Sequence, residues 1–272
     1  MTLTTISKEE FTSFANTVSH RSFIQSAEMA DLLKKRGNTV QFIAWKQEDQ
    51  VQVAAILYSL PMTGGLHMEI NSGPLYQEEA MLEPFYAALK DYAKENGAIE
   101  LVIKPYDTYQ TFDSNGNPTS EEQTHFMDTL KNLGYQHDGL TTGYPGGEGD
   151  WHYVKDMEGI TEKNLLKSFS KKGKPLVKKA KSFGIELKRL NRDELQLFKD
   201  ITSSTSDRGD YEDKTLAYYQ TFYDSFGDNA DFMIATLNFH HYYTNLEKDQ
   251  GKLAQKIEKL QKDLEVNPHS EK

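Results

Sequence analysis

The chain predicts an α+β fold in two lobes with a helical arm, and three observations lead there. Apolar runs of strand length and amphipathic helical stretches follow one another in mixed order through the first half. A strand followed by a capped helix start, Ser7-Lys8-Glu9-Glu10, recurs about 184 residues later as Asn191-Arg192-Asp193-Glu194. The closing stretch, from about His240 to Val266, places Leu246, Leu253 and Leu260 at d positions and Gln250, Ile257 and Leu264 at a positions of a heptad pattern. A single helix of that kind cannot bury its stripe alone.

Length and composition set bounds. The 272 residues are enough for two domains with a sizeable core. The chain has no cysteine, which removes disulfides, thiolate metal sites and a thiol nucleophile. The opening residues MTLTTISKEEF lack a basic segment followed by an apolar one, and no run approaches ~18 apolar residues. The expectation is a cytoplasmic protein that can touch a membrane peripherally.

In order, Ser7 to Glu10 opens a helix holding Phe11 and Phe14, and Gln25-Ser26 leads into a second helix that runs through Arg36 to a stop at Gly37. Strands are predicted at Val40 to Trp45 and at Val51 to Leu60, the second so apolar that it belongs at the centre of its sheet. A third strand, His67 to Asn71, ends in Ser72-Gly73-Pro74. A helix from Glu79 to Glu95 and a strand from Ile99 to Ile103 follow, the strand emerging at Lys104-Pro105-Tyr106-Asp107. Pro105 ends a strand and Tyr106 can cover its edge; a hydroxyl and a carboxylate at a strand's carboxyl end can also face a cleft.

Thr108 to Gln123 reads as a polar loop, Glu121 to Leu133 as a helix, and a strand is expected from Tyr135. The glycine-rich stretch from Gly143 to Gly149 is taken as the hinge between the lobes. Its glycine spacing is not that of a dinucleotide site.

The strongest signal is charge. Between Lys163 and Arg189 stand ten Lys or Arg against one acid, Glu186, in a chain whose total is −10. This segment is expected to form a strand (His152 to Lys155), a helix (Thr161 to Phe169), a second helix to Ser182 and a strand (Ile185 to Leu190). Leu165, Leu166, Phe169, Leu176, Val177, Ala180 and Phe183 would form the buried stripe and the lysines the opposite face. Such a face is either simply solvated or a landing strip for a polyanion, with salt-sensitive binding. Beyond it come a helix from Asp193 to Thr205, a polar loop from Ser203 to Asp213 and an aromatic helix from Leu216 to Phe226. Lys214 and Tyr218, four apart, would share one helical face.

The stretch from Trp151 to Leu190 resembles the central signature of the Fem (FemABX) family of peptidoglycan bridge-forming aminoacyltransferases: an aromatic strand ending in Asp156-Met157, a helix, a basic run and the Gly184-Ile185-Glu186-Leu187 strand. The likeness runs from Lys8 to the terminal helix and is greatest to the MurN-like branch. It implies two lobes related to the acetyltransferase (GNAT) fold, 1–149 and 150–239, with 240–272 the first helix of a coiled-coil arm. In many relatives that helix is half of a hairpin, after which the chain completes the second lobe. The chain is therefore expected to be truncated within the arm, its second lobe incomplete.

The resemblance further implies aminoacyl transfer, of Ala or Ser, from aminoacyl-tRNA to the stem-peptide branch of lipid II or a UDP-linked precursor, without cofactor or metal. By this likeness Lys214 and Tyr218 match the family's Arg-x-x-x-Tyr pair that contacts the precursor, with Lys losing the bidentate fork. Tyr106 and Lys34 are further substrate-binding candidates, and Asp107 is the candidate proton acceptor, although Lys104 stands where the family usually has an acid. Lys171, Lys172, Lys174, Lys178 and Lys179 are the candidates for tRNA or lipid phosphate.

The absences fit. There is no Walker A loop, no His-Glu-x-x-His, no Gly-x-Ser-x-Gly and no acetyltransferase phosphate loop. A preactivated ester needs mainly alignment with the amine and removal of a proton. The alternative is a non-catalytic tRNA- or partner-binding fragment of such an enzyme. A small-molecule acetyltransferase is disfavoured by the missing loop.

Overall fold

The chain forms two units, Met1–Asp150 with Ala217–Ala230, and Trp151–Leu216 with Asp231–Lys272. A computed structural model describes residues 2–140 and 151–268; the expected hinge at 143–149 lies outside them.

The first unit is built on a six-stranded sheet. Its elements are β1 (Thr2–Thr5), α1 (Lys8–Ala15), α2 (Ala27–Lys35), β2 (Thr39–Gln47), β3 (Gln50–Met62), β4 (Gly65–Asn71), β5 (Leu75–Tyr76), α3 (Leu82–Glu95), β6 (Ala98–Lys104) and α4 (His125–Asn132). The order is β1-β2-β3-β4-β6, with β5 also paired to β3, and only β4 and β6 run parallel. Ser7 caps α1 by accepting from the Glu10 N–H, and Ser26 caps α2 through Met29.

The pleat sorts the strands' side chains. Phe42, Ala44, Ala54 and Ile56 meet Phe11 and Phe14 of α1 and Ala30 of α2 on one face. Ile43, Trp45, Val53, Ala55 and Leu57 meet Phe85 and Leu89 of α3 on the other. β3 is thus buried on both sides, which is why its sequence is apolar without alternation.

β3 changes partners along its length. β4 pairs with it from Tyr58 to Met62, and β5 at Val53 and Ala54. In the gap between them the side chain of Gln25, 1% exposed, takes a strand's place. Its Oε1 accepts from the Ile56 N–H at 2.8 Å and its Nε2 donates to the Asn71 carbonyl at 2.6 Å. Gly73 packs on it so closely that a Cβ there would lie 2.8 Å from the Gln25 Cδ.

The second unit begins with α5 (Glu162–Ser168), α6 (Gly173–Ser182), β7 (Ile185–Arg189) and α7 (Leu195–Gly209). The chain then gives α8 (Leu216–Phe226), nearly all of it part of the first unit, before β8 (Met233–Leu237) and α9 (Phe239–Val266). β7 pairs antiparallel with β8, and the Leu190 N–H donates to the Phe232 carbonyl at 2.7 Å. Leu190, Leu195, Phe232 and Ile234 form a small buried core, with Phe198 edge-on to Phe232.

Several expectations change. His152–Lys155 is not a strand: Tyr153 and Val154 are exposed, and no described strand pairs with the segment. A strand without a partner leaves its backbone to solvent, and extended pairing there gains nothing. The residues from Tyr135 to Leu140 are likewise irregular, and α4 starts at His125, four residues later than predicted. The segment expected as a loop from Ser203 stays helical to Gly209, where Asp210 ends α7 in the left-handed conformation. α8 begins at Leu216, so Lys214 precedes it and shares no helical face with Tyr218. On α6, Leu176 is 66% exposed and leaves the buried stripe, as does Phe169 after α5.

Candidate active site

β4 and β6, being parallel, both end at one edge of the first unit's sheet, where the chain leaves β6 through Pro105. The Gly73 N–H donates to the Lys104 carbonyl at 3.2 Å, binding the two strand exits together. Tyr76, closing β5, turns its hydroxyl onto Asp107 and donates to Oδ1. This pair joins β5 to the segment following β6, 31 residues apart.

The loop after α1 also reaches this point. His20 stacks on Tyr106, ring centroids 5.0 Å apart, and its Nε2 lies 3.1 Å from the Tyr106 carbonyl. A carbonyl only accepts, so Nε2 carries the proton in this bond. The loop is fastened again by Gln77, whose Nε2 donates to the Thr17 hydroxyl at 2.8 Å, and by Arg21, which donates to the Asn16 side chain at 3.1 Å.

Burial raises the Asp107 carboxyl above the usual carboxylate range, and Glu79 adds to this. The hydrogen bond from Tyr76 and the nearby His20 hold it back. Burial and Asp107 together push the Tyr76 hydroxyl far up, so it stays a donor at any physiological pH. The result is a half-buried carboxyl at a sheet's end, held by the Tyr76 hydroxyl and by a backbone hydrogen bond. Such a group can hold an amine and take its proton.

Lys104 is occupied elsewhere. Its Nζ stands 2.9 Å from the buried Glu69 Oε1. The Glu69 Oε2 lies 3.1 Å from the His67 Nε2, and the His67 Nδ1 is 2.6 Å from Glu100. This ladder across β4 and β6 accounts for a Lys where the resembled motif has an acid.

The other sequence candidates fall into place unevenly. Lys34 lies with its Nζ 5.6 Å from the centre of the Phe42 ring. Tyr218 instead carries the guanidinium of Arg36, 4.4 Å from its ring centre, and Lys35 donates to the Ser225 hydroxyl at 3.0 Å. Residues 34 and 36 are about 200° apart around a helix, so the cation at Tyr218 is Arg36. Sequence reasoning missed Arg36, Tyr76 and His20; the turn it read after His67 to Asn71, Ser72-Gly73-Pro74, stops two residues short of Tyr76.

In the second unit, Lys171, Lys172, Lys178 and Lys179 are exposed and Lys174 half-buried, and none of the five ion-pairs with a described carboxylate. Leu165, Leu166, Val177, Ala180 and Phe183 turn inward, and Phe183 meets Tyr242 of α9 edge-on at 5.2 Å. Among the described residues there is no cluster of metal-binding side chains and no helix long and apolar enough to cross a membrane.

A model of the FemAB family matches residues 6–272. The "Aminoacyltransferase FemB" of Staphylococcus epidermidis is 28% identical over 253 residues, covering 91% of this chain and 61% of that protein. The "Aminoacyltransferase FemA" of Staphylococcus aureus is 26% identical over 278 residues, covering all of this chain and 66% of that protein. A solved structure, "Crystal structure of FemX", superposes with a TM-score of 0.68 over 98% of this chain and 66% of its own, at 20% identity, and shows the same fold. The chain spans roughly three-fifths to two-thirds of these relatives.

Proposed function

We propose that this chain, which belongs to the FemAB family, takes part in aminoacyl transfer. It carries Ala or Ser from the ester of an aminoacyl-tRNA to an amine on the stem-peptide branch of lipid II or its UDP-linked precursor. The observation that supports this most is the tyrosine-held carboxyl of Asp107 beside Tyr106, in a chain whose relatives are named aminoacyltransferases.

The acceptor amine attacks the ester carbonyl carbon and forms the C–N bond. Asp107 takes the proton that the nitrogen sheds and passes it to the ester oxygen as the C–O bond breaks, so that the tRNA leaves with a free hydroxyl. No group needs activation beyond the ester itself, so alignment supplies most of the rate. Tyr106, Lys34, Lys214 and Tyr218, with Arg36 over the Tyr218 ring, are assigned to the precursor. Lys171, Lys172, Lys174, Lys178 and Lys179 are assigned to tRNA phosphates or the lipid pyrophosphate, which places the protein at the inner face of the membrane as a peripheral visitor.

The test is incubation with Ala-tRNA or Ser-tRNA and lipid II, followed by mass spectrometry. A product heavier by one residue is expected from the chain, and none from Asp107→Asn. The second reading, tRNA binding without turnover, is favoured by Lys171, Lys172, Lys174, Lys178 and Lys179, none of which ion-pairs with a described carboxylate. It predicts tight salt-sensitive tRNA binding and no heavier product.

A further inference from the structure

We infer that Tyr76 and His20 are positioning residues that clamp the Tyr106-Asp107 dipeptide, one at the carboxyl and one at the Tyr106 ring and backbone, and that through them the loop after α1 belongs to the proton-accepting site. This rests on the reading of Asp107 as proton acceptor. Tyr76 fixes the carboxyl: its hydroxyl donates to Oδ1. His20 fixes the backbone: the imidazole stacks on the Tyr106 ring and bonds the Tyr106 carbonyl at 3.1 Å. A single rotatable carboxyl after a strand end would otherwise sample several rotamers, and misplacement of the order of 1 Å is costly for a reaction that depends on alignment.

The clamp also sets charge. Asp107 is faced by Tyr76 of β5, by His20 of the loop after α1, by Glu79 ahead of α3 and by the buried Tyr86 of α3. Glu79 is itself paired with His125 of α4 at 3.0 Å. Tyr76 and His20 favour the carboxylate; Glu79 opposes it. Neither residue touches the reacting atoms, so both act through Asp107.

The experiment is an NMR titration of the Asp107 carboxyl carbon in selectively 13C-labelled chain. Tyr76→Phe keeps the ring in the core and removes only the donor, and the Asp107 midpoint moves up. His20→Gln, on an exposed loop, moves it up as well, while Glu79→Gln moves it down. An Asp107 midpoint that stays in place in both Tyr76→Phe and His20→Gln overturns the clamp. If Tyr76→Phe does not fold, His20→Gln alone decides. The transfer assay is run in parallel: Tyr76→Phe shifts the acid limb of the pH–rate profile to higher pH with KM unchanged. Shifted titrations without any transfer support the clamp and overturn only the reaction assigned to it.

Discussion

Gln25 bridges β3 and β4 by two hydrogen bonds, and Gln25→Leu tests what the sheet owes to it. Leucine has nearly the same volume and fills the site, so the loss isolates the hydrogen bonds. Two backbone groups are orphaned, the Ile56 N–H and the Asn71 carbonyl, whose bonds to Gln25 measure 2.8 and 2.6 Å. A buried polar group left unpaired costs about 1–3 kcal/mol, so the pair amounts to about 2–6 kcal/mol. For a unit of this size each kcal/mol lowers Tm by about 2–4 °C, and the expected fall is about 4–24 °C. Trp45, in the core of this unit, reports its unfolding by fluorescence once Trp151 of the second unit is replaced by Phe. Hydrogen exchange at the Ile56 amide is the second reading and should lose protection. A loss under about 1 kcal/mol with that amide still protected would refute the reasoning, because it would mean another acceptor replaces Gln25 at no cost. Gly73→Ala supplies a cross-check. Its Cβ would meet Gln25 at 2.8 Å, so it should be harmful alone and far milder in the Gln25→Ala background.

Three further outcomes are expected. Burial opposes a charge on His67, but hydrogen bonds to Glu100 and Glu69 outweigh it and raise its affinity for a proton, so its stabilising share is complete below the ordinary imidazole value of 6.5 and is lost as pH climbs through the raised one. Urea midpoints of the wild type should fall over that rise relative to His67→Gln, and parallel curves would count against the ladder. Asp213 is nearly buried and takes Lys199 at 2.5 Å, Thr202 at 3.0 Å and Ser203 at 3.1 Å; Asp213→Ala should cost about 3–5 kcal/mol by leaving the ammonium without its partner. Lys178→Glu with Lys179→Glu should weaken tRNA binding and flatten its logarithmic salt dependence by about 1 per lysine removed; an unchanged slope would place the phosphates elsewhere.

Much of the fold was legible because the residues that specify it are local. The apolar run of β3, the Ser7 and Ser26 caps and the glycine stops after α2 and α3 act within a few positions of themselves. The aromatic helix α8 and the helix α9 were also readable from period alone. What the sequence hid is nonlocal. Tyr76 and Asp107 are 31 residues apart, and His20 and Tyr106 are 86 apart. Neither separation has a spacing rule. The strand expected at His152 to Lys155 had the right composition, but a ladder is a property of two segments and composition describes one. Lys34 was a candidate through the family resemblance, whereas Arg36, at the α2 terminus, has the reach and flat guanidinium to lie on Tyr218.

The fork in the sheet has a mechanical side. Gln25 lies two residues ahead of α2, a rigid rod of nine residues and so about 14 Å long, with Lys34 and Arg36 at its far end. Any tilt of the root that frees the amide from Ile56 and Asn71 swings those cations through an arc. The peg that closes the split between β4 and β5 therefore also acts as the fulcrum that sets where the rod's charged tip points.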